Sequence, residues 1–188
     1  TEGIQTAVVS TLIAAKNHQI ENPVLLYGAT EHKAVPNTLK HWNSVLDINA
    51  QVLAIPVDKN GILDHEFIRK HAANALMICT MAVNNETGVF QDLSASEQVI
   101  RSENTHVAWM VDCVQALGKT NLALSQTTID YAPFSGHKLY APKGIGVLYI
   151  RKGSAYTPFI AGGGQESGMR SGTENLPGIA GLNKLFSL

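Results

Sequence analysis

Short apolar runs alternate with amphipathic stretches along most of this chain, and that alternation leaves few architectures open. Residues 2–16 carry Ile4, Val8, Leu12 and Ala15 at helical spacing, with Thr1 in the N-cap position. Residues 24–27 form a short apolar run between Pro23 and Gly28, which reads as a buried strand. A second helix is expected over 32–46, with Pro36 restricting its first turn. A strand follows over 51–57, a turn at Asp58-Lys59-Asn60-Gly61, and a helix capped by Asp64 that runs through His71. Residues 75–83 read as a strand, 94–103 as a helix, and 107–111 as a strand that delivers Asp112 at its carboxyl end. Strands are expected again over 131–134 and 146–150, and the tail from Gly153 reads as loop. Helices alternating with short buried strands imply an α/β fold around a mostly parallel sheet. Ligands of such sheets sit beyond the carboxyl ends of the strands. Asp112, Ser135 and the pair Asn84-Asn85 all fall at predicted strand ends, so one rim is expected to hold them.

Composition sets the bounds. The chain has 188 residues, of which 45% are hydrophobic and 15% charged, and its formal charge is −1. This suits one folded domain and argues against disorder and against a basic nucleic-acid footprint. No apolar run is long enough to span a bilayer, so no membrane partner is expected. Cys79 and Cys113 form no C-x-x-C, which excludes a disulfide scaffold and a cysteine zinc site and is compatible with a reducing, cytoplasmic setting. The seven histidines show no metal-ligand spacing, so no metal site is expected. The opening at Thr1, directly into a helical pattern, reads as a fragment.

Several residues could carry chemistry. Ser135-Gly136-His137-Lys138 sets a hydroxyl, an imidazole and an amine directly after a strand. The amine can form a Schiff base with an aldehyde cofactor, and Ser and His can hold a phosphate. A polar turn with solvated lysines is the other reading, and surface lysine is the commoner case. Asp112 follows an apolar run, and a buried ionised carboxylate wants a cation such as a pyridinium nitrogen. An N-cap at a strand-to-helix junction explains it equally well. His32 at a helix start, and Asn84-Asn85 before Glu86-Thr87-Gly88, fit capping and turn roles as well as ligand contacts. Gly162 to Thr173, with Arg170 and Ser171, could approach an anion or be only a mobile loop. Cys113 could be a nucleophile, but its place beside Val111 and Val114 favours core packing. Gly118-Lys119-Thr120 lacks the upstream glycine of a P-loop, and no G-x-G-x-x-G follows a strand.

In combination and order these segments are more specific. Thr1-Glu2-Gly3, Glu31 to Val35, Val83 to Gly88, Val111-Asp112 with Gln115, Ser135 to Lys138 and Gly162 to Thr173 resemble the cysteine desulfurases, fold-type I, class V enzymes dependent on pyridoxal 5′-phosphate (PLP). The stretch Gly162 to Thr173 resembles the branch that serves iron–sulfur cluster assembly and nitrogenase maturation. The resemblance covers nearly the whole chain. It implies a three-layer α/β/α fold with a mostly parallel mixed sheet. Residues 1–188 would be the PLP-binding large domain, incomplete, without its amino-terminal segment and the carboxyl-terminal small domain.

The resemblance also implies roles. Lys138 would hold the cofactor and shuttle protons, and Asp112 would pair with the pyridine nitrogen. His32 would stack on the ring and assist proton transfer. Gln115 and Asn85 would contact the ring oxygen or the substrate, and Ser135, His137 and Thr1 the phosphate. Thr173 would reach the phosphate of another subunit, implying a homodimer. The implied reaction converts L-cysteine to L-alanine, with sulfur passed to an enzyme cysteine and on to an acceptor or scaffold protein. Ala141 stands where the family has Gly, and Cys113-Val114 replaces a smaller pair. Neither Cys79 nor Cys113 matches the family's sulfur-accepting loop, so the fragment alone is expected to be inactive. The alternatives are another class V enzyme, an aminotransferase or lyase, and a degenerate scaffold domain.

Overall fold

The computed structural model describes residues 1–16 and 20–186. The elements follow in the order α1 (Glu2–Ala15), β1 (Val24–Gly28), α2 (Ala34–Val45), β2 (Gln51–Ile55), α3 (His65–His71), β3 (Ala75–Met81), α4 (Leu93–Glu103), β4 (Ala108–Asp112), β5 (Tyr131–Ser135), β6 (Gly146–Ile150) and α5 (Leu176–Phe186). The strands form one sheet in the order β2-β1-β3-β4-β5-β6. Every pairing is parallel except that of β6, which runs antiparallel to β5. The expected α/β architecture with a mostly parallel mixed sheet is therefore the observed one.

Helices cover both faces, giving three layers. Alternate strand residues feed two cores, as the two-residue period of a strand requires. Leu26, Ile78, Trp109, Val111 and Ala132 pack with Ile68 of α3 and Ile100 of α4. Leu25, Met77, Cys79, Met110 and Tyr131 pack with Val8 and Leu12 of α1 and Val35 and Leu39 of α2. Central β3 is buried along its whole length, which is why it reads as a continuous apolar run. The one polar side chain in that run, Thr80, accepts a hydrogen bond from the Trp109 indole at 3.0 Å. Helix α1 is buried nearly all round, because the tail also lies against it: Ser10 Oγ accepts the Thr157 amide and donates to the Thr157 carbonyl.

Local chemistry sets the boundaries. Asp64 caps α3 by accepting the Glu66 and Phe67 amides, and Asp92 caps α4 through the Ala95 amide. Asp58 closes the turn before α3 through the Asn60 and Ile62 amides. Strand β2 stops at Ile55 and β3 at Met81, each shorter than its apolar run; Val57 and Val83 instead make isolated antiparallel bridges with Leu63 and Phe90. Thr1 holds the N-cap position of α1, but its hydroxyl makes no cap bond.

The tail corrects an expectation. It is not loop throughout: residues 176–186 are helix, while Ser187 and Leu188 lie outside the described residues. Asn175 starts this helix by accepting the Gly178 amide at 3.1 Å. Pro177 sits in the first turn, where a missing N–H is tolerated. At Gly181 an added Cβ would lie 2.8 Å from Pro142, so the glycines that resemble turn punctuation instead allow close packing.

Two substitutions in the intact protein test these assignments. Ile78→Ala should lower unfolding stability by about 2–5 kcal/mol in a denaturant titration, and Asp64→Ala by about 1 kcal/mol. Equal losses at the two positions would contradict the placement of Ile78 at the centre of the larger core.

Candidate active site

The sheet order reverses direction at β1. The connection from β1 leads outward to β2, whereas β3, β4 and β5 add on the other side. Such a reversal opens a crevice between the carboxyl ends of the two diverging strands, here β1 and β3. The segment after β1 carries Glu31 and His32, the segment after β3 carries Asn84 and Asn85, and the ends of β4 and β5 carry Asp112 and Ser135. The expected common rim is thus the observed one.

Asp112 is the last residue of β4 and is 7% exposed. Its backbone is locked between neighbours: its carbonyl accepts the Ala82 amide, and the next amide, Cys113, donates to the Pro133 carbonyl. Its Oδ1 accepts the Val114 amide at 2.9 Å, whereas no protein donor bonds Oδ2 among the described residues. No regular helix follows, so the side chain stabilises a turn rather than a helix N-terminus. Burial pushes its carboxyl above the ordinary aspartate value, opposed by the Val114 amide and by the nearby His32. A cation offered to Oδ2 would favour the ionised form further.

On the neighbouring strand, Ser135 ends β5 and the chain enters a tight turn over Gly136–Leu139. Gly136 permits it: an added Cβ would lie 3.0 Å from the Ile145 carbonyl oxygen, to which the Gly136 amide also donates. The turn leaves by Tyr140 in a left-handed conformation, φ 65°. Ser135 Oγ and His137 Nδ1 are 2.8 Å apart. Lys138 is exposed and makes no side-chain hydrogen bond or ion pair among the described residues. Asp112 and Lys138 therefore project from the same end of adjacent parallel strands, β4 and β5.

The other sequence candidates divide. His32 is exposed, and its Nδ1 accepts the Ala34 amide at 3.2 Å, which leaves Nε2 to carry the proton of the neutral ring. Asn84 is buried and structural: its Oδ1 accepts the Glu86 and Thr87 amides, and its Nδ2 donates to the Thr30 carbonyl. That bond ties the loop after β3 to the loop after β1. Asn85 is exposed and forms no side-chain hydrogen bond among the described residues. Gln115 is half-buried and accepts the Lys119 ammonium at 2.6 Å, a partner the sequence reading missed although the spacing of four residues suits it. Thr1 lies near the sheet, since Gly3 of the same turn abuts Pro133 of β5 and Leu148 of β6.

Thr173 is exposed, and no side-chain hydrogen bond joins it to the others. Its loop is nonetheless ordered: Ser171 Oγ accepts the Gly164 amide, Gln165 accepts the Gly172 amide, and Arg170 binds Glu2 of α1 at 2.9 Å.

Glu31 received no role from the sequence, yet it is the most perturbed acid on the rim. Both its oxygens are buried with no well-formed hydrogen bond among the described residues, the Met81 amide being the donor that acts on them. Burial and the neighbouring Asp112 raise its carboxyl well above the ordinary value. An added Cβ on Gly28 would lie 2.9 Å from Glu31 Oε1, so the carboxyl folds back against bare backbone. Cys79 and Cys113 are fully buried and their thiols are pushed up by burial, which suits packing rather than attack.

Chemically, the rim offers a free amine, a buried carboxylate open on one oxygen, and a hydroxyl–imidazole pair. These can hold an anionic carbonyl compound that also bears a cationic nitrogen.

The chain is similar to several cysteine desulfurases. It is 38% identical over 190 residues to cysteine desulfurase 2 of Trichormus variabilis, covering 100% of this chain and 45% of that protein. It is 42% identical over 156 residues to the cysteine desulfurase IscS of Rickettsia prowazekii, covering 81% of this chain and 37% of the relative. Among solved structures, a NifS-like protein superposes with a TM-score of 0.89 at 34% identity, over 98% of this chain and 49% of the other. SspA, solved in complex with cysteine, superposes with a TM-score of 0.81 at 31% identity, over 97% and 53%. The chain spans about half the length of these relatives. The sequence signature of the aminotransferase class-V family matches residues 1–188. Sheet order, rim and sequence thus agree, and the chain belongs to the aminotransferase class-V family, among relatives that are cysteine desulfurases.

Proposed function

We propose that this chain is the cofactor-binding part of a PLP-dependent cysteine desulfurase, which removes sulfur from L-cysteine and leaves L-alanine. The observation that carries this reading is the pairing of a buried carboxylate, Asp112, with a free amine, Lys138, at the same end of adjacent parallel strands. PLP fits these residues. The unbonded Oδ2 of Asp112 suits a protonated ring nitrogen, the Lys138 amine suits its aldehyde, and the Ser135–His137 pair suits its phosphate. When bound, the cofactor supplies an electron sink for the bond-breaking at the substrate Cα.

The chain's own residues do the rest. Asp112 holds a negative charge in a dry setting and keeps the ring nitrogen protonated. Lys138 would hold the cofactor, and its amine could move a proton to or from the substrate carbon. His32, with Nδ1 occupied by the Ala34 amide, would offer Nε2–H to the bound ring or substrate. Gln115 and Asn85 contact the ring oxygen or substrate, and Thr1, opening α1, adds a hydroxyl beside free helix amides for the phosphate. Thr173, on an ordered loop tied to α1 by Arg170 and Glu2, would reach the phosphate in a second subunit of a homodimer.

Both cysteines are buried, so the sulfur-accepting thiol would come from outside this segment, and the segment alone would be inactive. Sulfur would pass to an acceptor or scaffold protein, in keeping with iron–sulfur cluster assembly in the cytoplasm. No helix among the described residues is long and apolar enough to cross a membrane.

The intact protein with PLP should show a visible absorption band, and borohydride should fix the cofactor to the peptide containing Lys138. Lys138→Ala should lose that label and reduce alanine formation from cysteine by about 100- to 10,000-fold. A label on another lysine would overturn the reading.

A further inference from the structure

Glu31 poses a physical problem that the roles above leave unsolved. Its two oxygens are buried without well-formed hydrogen bonds among the described residues, on the segment between β1 and His32. An isolated ionised carboxylate in such a place costs several kcal/mol unless a cation offsets it. The groups that face it supply none: Asp112 of β4 opposes a second negative charge, the Cys79 thiol of β3 is uncharged, and the Met81 backbone amide is a smaller influence in the other direction. His32, the neighbouring cation candidate, acts on Asp112 instead. The carboxyl lies close against Gly28, where an added Cβ would stand 2.9 Å from Glu31 Oε1. Asp112 differs in that the Val114 amide bonds its Oδ1 at 2.9 Å, and its Oδ2 meets no protein donor among the described residues. Of two neighbouring carboxyls in a dry setting, one ionises and the other keeps its proton.

We propose that Glu31 is a positioning residue: it stands behind Asp112 as an uncharged carboxylic acid, so that the pair carries a single negative charge and that charge rests on the Asp112 oxygen open to the site. The inference rests on the cofactor reading only for the role of that charge toward a ring nitrogen. Ionisation of Glu31 would set a second negative charge near Asp112 and make the Asp112 charge costlier to hold. Its neutral form keeps Asp112 the sole anion.

Infrared difference spectra of the intact protein, wild type minus Glu31→Gln, read the charge directly. Near neutral pH the difference should show a carboxylic-acid C=O band assigned to Glu31 and no loss of carboxylate bands. In Asp112→Asn, with the repelling charge gone, the pH at which the Glu31 acid band disappears should fall by about one unit or more. Carboxylate bands in place of the acid band, or an unmoved titration in Asp112→Asn, would overturn the proposal. If borohydride still fixes PLP to Lys138 in either case, the cofactor reading survives its failure. An acid band that moves as expected in a protein with no PLP on Lys138 would instead keep the carboxyl pair and remove its role toward a cofactor.

Discussion

A carboxylate at the buried end of a parallel strand is the constraint around which this structure is arranged. Asp112 terminates β4 after Trp109, Met110 and Val111, all fully buried, so its position follows from the packing of both cores. The Val114 amide accounts for one oxygen; the other has no protein donor among the described residues. Such a group is stable only if it is neutral or if a cation meets it.

The sheet order supplies the meeting place. Reversal at β1 brings the His32 segment beside the Asn84 loop, and the Nδ2 of Asn84 joins the two through the Thr30 carbonyl. The parallel run from β3 to β5 then sets Asp112 and the Lys138 turn on neighbouring strand ends. The antiparallel β6 gives that turn its floor, since the Gly136 amide bonds the Ile145 carbonyl just before β6 begins. Helix α1 approaches the same rim with its amino end, and the salt bridge of Glu2 with Arg170 attaches the glycine-rich loop to it.

Much of this was legible in the chain. Apolar runs such as 75–81 and 146–150 are strands because both faces or one face of each must be covered, and their periods show it. Asp64 and Asp58 were readable because capping and turn chemistry are local. Strand ends were less legible: Val57 and Val83 continue the apolar run, yet they turn away to bridge Leu63 and Phe90, which depends on loop closure. Helix α5 was hidden because Asn175, Pro177 and Gly178 resemble a turn, and only contact with Pro142 explains Gly181. At the site, Asp112 and Ser135 to Lys138 announced themselves by position after strands. Of the adjacent amides, Asn84 proved structural and Asn85 exposed, a division that burial decides and sequence does not. Glu31 escaped because a single Glu in a polar segment normally faces water; here Gly28 leaves the space into which it folds.

The most direct test is a crystal structure of the intact protein grown with PLP. The account predicts continuous density between Lys138 Nζ and the cofactor, with the ring nitrogen about 3 Å from Asp112 Oδ2. A cofactor bound elsewhere, or a ring whose nitrogen faces away from Asp112, would contradict it.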